Sequence, residues 1–226
     1  RLPKIQACLA GANCGGCGYP GCDGYAAALV EDPTLELTLC AAGGPACAEA
    51  IGKILGRSAG AMVPKAAVIH CKGDCEATSA KMDYRGIETC TAAKQLFGGT
   101  GKCTFGCLGL GDCSRACPSE AICIENGIAH VDTRLCTGCG ACAKVCPNHI
   151  ITVLPADTAV KVLCSNHEKG GVVGKKCTAG CIGCGLCMKK CPEGAITVKN
   201  FLAEIDYSKC TGCGTCAEVC PKKCIG

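Results

Sequence analysis

The sequence predicts a small, loop-rich α+β protein whose parts are stapled together by bound groups. Three observations predict this. First, its 226 residues include 29 Cys and 32 Gly but no Trp, 4 Tyr and 3 Phe, so no large aromatic core can form. Second, the cysteines fall in tight runs, and one run occurs twice: Cys136-Thr-Gly-Cys139-Gly-Ala-Cys142-Ala-Lys-Val-Cys146-Pro147 and Cys210-Thr-Gly-Cys213-Gly-Thr-Cys216-Ala-Glu-Val-Cys220-Pro221. Third, a shift of 74 residues carries Cys90, Cys103, Cys107, Cys113, Cys117, Cys136, Cys139, Cys142 and Cys146 onto Cys164, Cys177, Cys181, Cys187, Cys191, Cys210, Cys213, Cys216 and Cys220.

A C-x2-C-x2-C-x3-C-P run is the spacing that holds a [4Fe-4S] cluster, with three cysteines on one cluster and the fourth reaching a neighbour. The predicted architecture is therefore an N-terminal [4Fe-4S] domain (residues 1–56), a linker and Cys-bearing connecting segment (57–102), and two tandem two-cluster ferredoxin-like domains (103–160 and 161–226). Disulfides would call for irregular spacings instead of compact triplets. Four-thiolate zinc sites pair two separated C-x2-C knuckles and do not require a third cysteine or the four C-P pairs at Cys117, Cys146, Cys191 and Cys220. Thiolate clusters also imply a reducing, cytosol-facing location.

The N-terminal unit places Cys14, Cys17 and Cys22 in a glycine-rich loop, with Cys40 as the natural fourth ligand. Tyr25 to Val30 begins a helix, and Cys47 to Leu55 reads as a short amphipathic helix closed by Gly56. Cys8 and Cys47 are read as packing residues, as are Cys123 and Cys224 outside the repeat. Gly56 to Met62 reads as linker and Ala66 to His70 as a strand that delivers Cys71 and Cys75. In each copy two short alternating runs form a hairpin, Ala121 to Ile124 with Ile128 to Asp132 and Ala195 to Val198 with Leu202 to Asp206.

In the second copy Cys181, Cys184 and Cys187 are expected to bind one cluster with Cys220, and Cys210, Cys213 and Cys216 another with Cys191. The first copy has Leu110 where the second has Cys184. Cys103 is the expected replacement, which groups Cys103, Cys107, Cys113 and Cys146 on one cluster and Cys117, Cys136, Cys139 and Cys142 on the other. Cys71, Cys75, Cys90, Cys164 and Cys177 remain. They suffice for a sixth cluster from Cys71, Cys75 and Cys90 with either Cys164 or Cys177.

The formal charge of +4 counts cysteines as neutral. Six clusters at about −2 each bring the total to about −8, so the basic balance is no argument for nucleic acid. His70, His130, His149 and His167 are isolated and read as structural. Lys175-Lys176, Lys189-Lys190 and Lys222-Lys223 read as solvated faces, the last two also as possible docking points for an acidic redox partner. Gly101-Lys102 and Gly174-Lys175 lack the earlier glycine and following Ser or Thr of a phosphate loop. No apolar stretch is long enough to cross a membrane. Without a substrate, flavin or dinucleotide site, the expected chemistry is electron relay.

The order of these motifs resembles the B subunit of the Rnf complex, the membrane-bound, ion-translocating ferredoxin:NAD+ oxidoreductase. The motifs are Gly11-Ala-Asn-Cys-Gly-Gly-Cys-Gly-Tyr-Pro-Gly-Cys22, Cys71-Lys-Gly-Asp-Cys75, Gly106-Cys-Leu-Gly-Leu-Gly-Asp-Cys113, Gly180-Cys-Ile-Gly-Cys-Gly-Leu-Cys187 and the two ferredoxin runs. The resemblance covers Gly11 to Cys220 and implies a subunit, itself without a substrate site, that takes electrons from reduced ferredoxin at the cytoplasmic face. It would pass them to flavin- and NAD-carrying partners while the assembly moves Na+ or H+. It also implies a membrane helix ahead of residue 1 and, in some members, more ferredoxin units after Ile225. The alternative is an independent polyferredoxin that shuttles electrons among soluble enzymes.

Overall fold

In the computed structural model, which describes residues 1–226, three apolar cores follow one another along the chain. The first is helical: α1 (Leu2–Cys8), α2 (Cys22–Glu31) and α3 (Gly44–Leu55). Ile5, Tyr25, Leu29 and Ile51 are fully buried between them. Tyr25 keeps its hydroxyl satisfied by donating to the Glu36 carbonyl at 2.7 Å. α3 starts earlier than expected because Pro45 suits a first helical turn, and it stops where expected because Gly56 takes φ 70°.

The segment expected as linker and connection carries β1 (Lys65–Ile69) and α4 (Cys90–Gln95). The first ferredoxin-like unit then continues through α5 (Asp112–Arg115), β2 (Ile122–Glu125), β3 (Ile128–Val131), α6 (Ala141–Val145) and β4 (Ile151–Pro155). β1 pairs antiparallel with β4, Ile69 opposite Ile151 and Lys65 opposite Pro155, so residues distant in sequence close the second core. The second unit has α7 (Gly170–Lys176), α8 (Leu186–Lys190), β5 (Ile196–Lys199), β6 (Leu202–Ile205) and α9 (Thr215–Glu218).

Both expected hairpins form, β2 with β3 and β5 with β6, in equivalent registers. Their two-residue turns have positive φ at both positions, Asn126 (47°) with Gly127 (78°) and Asn200 (48°) with Phe201 (62°), which matches strand twist. The two units meet where His70 Nδ1 donates to the Val162 carbonyl (2.6 Å) and Nε2 lies 2.7 Å from Thr152 Oγ1. A short bridge of Thr78 with Cys177 extends this junction, and one of Val162 with Ile225 closes the second unit beside it. No helix is long and apolar enough to cross a membrane.

Candidate functional site

Short loops bring the cysteines of each run together, because α5, α6, α8 and α9 each follow a glycine in the left-handed region. Four small cavities result, each with at least four cysteines in its wall. Cys14, Cys17, Cys22 and Cys40 line the N-terminal one. Asn13, itself at φ 47°, accepts from the Cys22 amide at 2.9 Å and so fixes the start of α2 against this loop. Cys191, Cys210, Cys213 and Cys216 line the outer cavity of the second copy.

Two further sets show as crowded thiols. Burial, with Cys139, Cys136 and Cys117 as neighbours, pushes Cys142 up to about 11. Burial likewise pushes Cys187 up to about 11, with Cys181, Cys184 and Cys220 around it. Such thiols would give up protons only as a metal group is bound.

The arrangement departs from the expected grouping at the unpaired cysteines. Cys90 lines a cavity with Cys107, Cys113 and Cys146, so Cys90 stands at the place left open by Leu110. Burial, with Cys107, Cys90 and Cys146 close by, pushes Cys113 up to about 12. Cys103 instead lines the cavity of Cys71, Cys164 and Cys177, at the junction between the two units. The reason is local. Asp112 accepts from the Cys90 and Thr91 amides (2.9 and 3.0 Å) and from Thr91 Oγ1 (2.9 Å), which pins the start of α4 beside Cys113.

Cys75 stands apart and exposed, its amide donating to the Asn126 carbonyl at the hairpin turn. Cys8 packs against the N-terminal core and Cys47 lies buried in it, beside Cys40. A hydrogen bond with Cys47 holds the Cys40 thiol low. Cys224 is buried with its sulfur 3.6 Å from that of Cys220. Cys123, expected to pack, is exposed on β2 and donates to Glu125.

The sets adjoin one another. Cys139 also lines the N-terminal cavity, and Lys144 Nζ donates to the Gly15 carbonyl at 2.8 Å. A Cβ at Gly16 would clash with the Cys139 carbonyl, so only glycine allows this approach. The Cys107 amide donates to Cys71 Sγ and the Cys181 amide to Cys164 Sγ, both at 3.3 Å, which joins the junction cavity to the inner set of each copy.

The donor set fits iron–sulfur clusters. At least four cysteines line each cavity, and the C-x2-C-x2-C-x3-C-P spacing of the two ferredoxin runs is that of a cluster instead of two separated zinc knuckles. Sequence reasoning missed Asn166 and the bridging role of His70. Nothing in the local spacing marks either residue.

Family comparisons agree with this chemistry. Residues 180–224 match a 4Fe-4S dicluster domain, residues 129–152 a 4Fe-4S binding domain, and residues 9–41 an Fe-S cluster family. Over 92% of its length the chain is 44% identical to the B subunit of the Na(+)-translocating ferredoxin:NAD(+) oxidoreductase complex of Acetobacterium woodii, spanning 63% of that protein. It is 46% identical to the B subunit of the proton-translocating ferredoxin:NAD(+) oxidoreductase complex of Clostridium ljungdahlii, covering 92% of this chain and 71% of the relative. It is 43% identical to the B subunit of the ion-translocating oxidoreductase complex of Methanosarcina acetivorans, covering 92% and 79% respectively. The chain therefore belongs to the family of B subunits of ion-translocating ferredoxin:NAD+ oxidoreductase (Rnf) complexes.

Proposed function

We propose that this chain is the multi-cluster electron-relay part of an Rnf-type complex, taking electrons from reduced ferredoxin and handing them to partner subunits at the cytoplasmic face of the membrane. The observation that carries the reading is six four-cysteine sets, several of which adjoin through Cys139 and through the Cys107 and Cys181 amides. In order they are Cys14, Cys17, Cys22 and Cys40; Cys117, Cys136, Cys139 and Cys142; Cys90, Cys107, Cys113 and Cys146; Cys71, Cys103, Cys164 and Cys177; Cys181, Cys184, Cys187 and Cys220; and Cys191, Cys210, Cys213 and Cys216.

In this reading 24 of the cysteines ligate six [4Fe-4S] clusters in an N-terminal domain and two tandem ferredoxin-like units. When bound, each cluster would supply a one-electron store whose potential depends on hydrogen bonds, charge and burial. The side chains do the rest. Ile69, Ile150 and Ile151 exclude water from the inner set of the first copy, and Val160 and Ile196 border the outer set of the second. Amides from Ala67 and Ala121 reach the sulfurs of Cys136 (3.4 Å) and Cys117 (3.3 Å), where they offset thiolate charge.

Purification of the native protein tests the assignment. Co-isolation with integral membrane subunits, and return of the reduced chain's visible absorbance on adding NAD+ only when those subunits are present, is the expected result. A free protein that reduces several soluble partners would support an independent carrier instead.

A further inference from the structure

The junction set is built from equivalent halves. Cys71 and Cys164 each accept from the amide two residues on, Gly73 (3.4 Å) and Asn166 (3.5 Å), and from the first inner-set cysteine of a unit, Cys107 and Cys181 (both 3.3 Å). Gly73 and Asn166 therefore occupy matching places. A Cβ at Gly73 would sit 3.3 Å from Cys177 Sγ, and at the matching place Asn166 faces Cys103. Only one half carries a side chain there.

Asn166 is the one polar residue buried in the chain, at 1% exposure. Its Nδ2 lies 3.4 Å from Cys103 Sγ and 3.2 Å from Glu168 Oε2, and its Oδ1 accepts from the Glu168 amide at 2.7 Å. The reverse amide orientation would set an oxygen against a thiolate and a carboxylate, so the network fixes the N–H toward the sulfur. Lys176 pairs with Glu168 and keeps that carboxylate charged and in place. Lys176 also offers its carbonyl to Thr78 Oγ1 of the other half at 2.7 Å.

We propose that Asn166 is a positioning and tuning residue for the junction set: its side-chain N–H, added to four backbone N–H groups, raises the reduction potential of the cluster held by Cys71, Cys103, Cys164 and Cys177. The physical reason is charge. Reduction adds one negative charge to the thiolate-bound group, and a fixed donor aimed at a ligating sulfur stabilises the reduced form more than the oxidised one. The outer set of the first copy receives two such amide–sulfur bonds, from Ala67 and Ala121, and the junction set receives five. The tuning role rests on the four-cysteine assignment of the junction under Proposed function.

The test is an EPR-monitored redox titration of the full iron-loaded chain, with iron analysis on the same samples. Cys177→Ala identifies the junction signal and should remove about four irons. Asn166→Leu should keep full iron and lower the reduction constant of that one signal about tenfold, ~59 mV for a one-electron couple. Asn166→Asp keeps the acceptor for the Glu168 amide, loses the donor, and should lower the same midpoint at least as far. If Asn166→Leu keeps full iron and no midpoint moves, while Cys177→Ala loses its cluster, the tuning role is overturned and the ligand set stands. Full iron in Cys177→Ala overturns the ligand set and the proposal with it. Iron loss in both Asn166 variants would make the residue a structural prop and also overturn the proposal.

Discussion

The two ferredoxin-like units repeat each other in every paired hairpin strand, yet they complete their inner cysteine sets differently. In the second copy Cys181, Cys184 and Cys220 gather around Cys187, all within the unit and with Cys184 in the run itself. In the first copy Leu110 replaces that cysteine, and Cys90 comes in from a separate helix. The matching position to Asp112, which pins that helix, is Leu186 in the second copy, where no such helix is held. Cys164 is thus free to turn to the junction, guided by hydrogen bonds from Leu163 to the Cys224 carbonyl and from Ser165 to the His70 carbonyl. The cysteine missing from the run of one copy is replaced by one from a helix, and the spare cysteine in the other lines a cavity that joins the copies.

The largest expected effect that would break this comparison is on iron content. Cys90→Ala should cost about four irons per chain, and adding Leu110→Cys to it should restore them by giving the first copy the ligand pattern of the second. Cys90→Ala with undiminished iron would remove the basis for the comparison. A second effect concerns the pin. Asp112→Ala leaves the Cys90 and Thr91 amides unpartnered and should destabilise the iron-loaded chain by about 2 kcal/mol in denaturant titration, whereas Leu186→Ala should leave the cysteine positions of its copy in place.

The hairpin turns give the smallest effects and the cleanest contrast. Gly127 must be glycine, since a Cβ there would meet Cys75 Sγ at 2.7 Å, so Gly127→Ala should destabilise by about 1–2 kcal/mol. Phe201, its counterpart, holds φ 62° with 45% of its surface exposed. Phe201→Gly should therefore stabilise by about 1 kcal/mol in thermal or denaturant unfolding; a loss of stability would mean that the ring packs on something that matters more than its backbone strain.

Local chemistry was legible in the sequence and long-range pairing was not. The cysteine runs, both hairpins and the end of α3 at Gly56 each depend on residues a few positions apart, and spacing or turn chemistry reads them directly. The antiparallel pairing of β1 with β4 joins Lys65–Ile69 to Ile151–Pro155, and no local signal announces it. The 74-residue shift also aligned Cys164 with Cys90, whereas the structure makes Cys71 its counterpart. The amide–sulfur bonds of Cys71 to Gly73 and Cys164 to Asn166 show the equivalence, and spacing outside the constant-length part of the repeat hides it. Asn166 had no signal at all, because a lone Asn in a loop usually serves a turn.

Iron and acid-labile sulfide per chain, measured on the fully reconstituted protein, test the central claim most directly. Six four-cysteine sets predict about 24 of each. A saturated value of about 20, with every ferredoxin-type cluster present, would leave Cys71, Cys103, Cys164 and Cys177 as bare thiols and contradict a cluster at the junction.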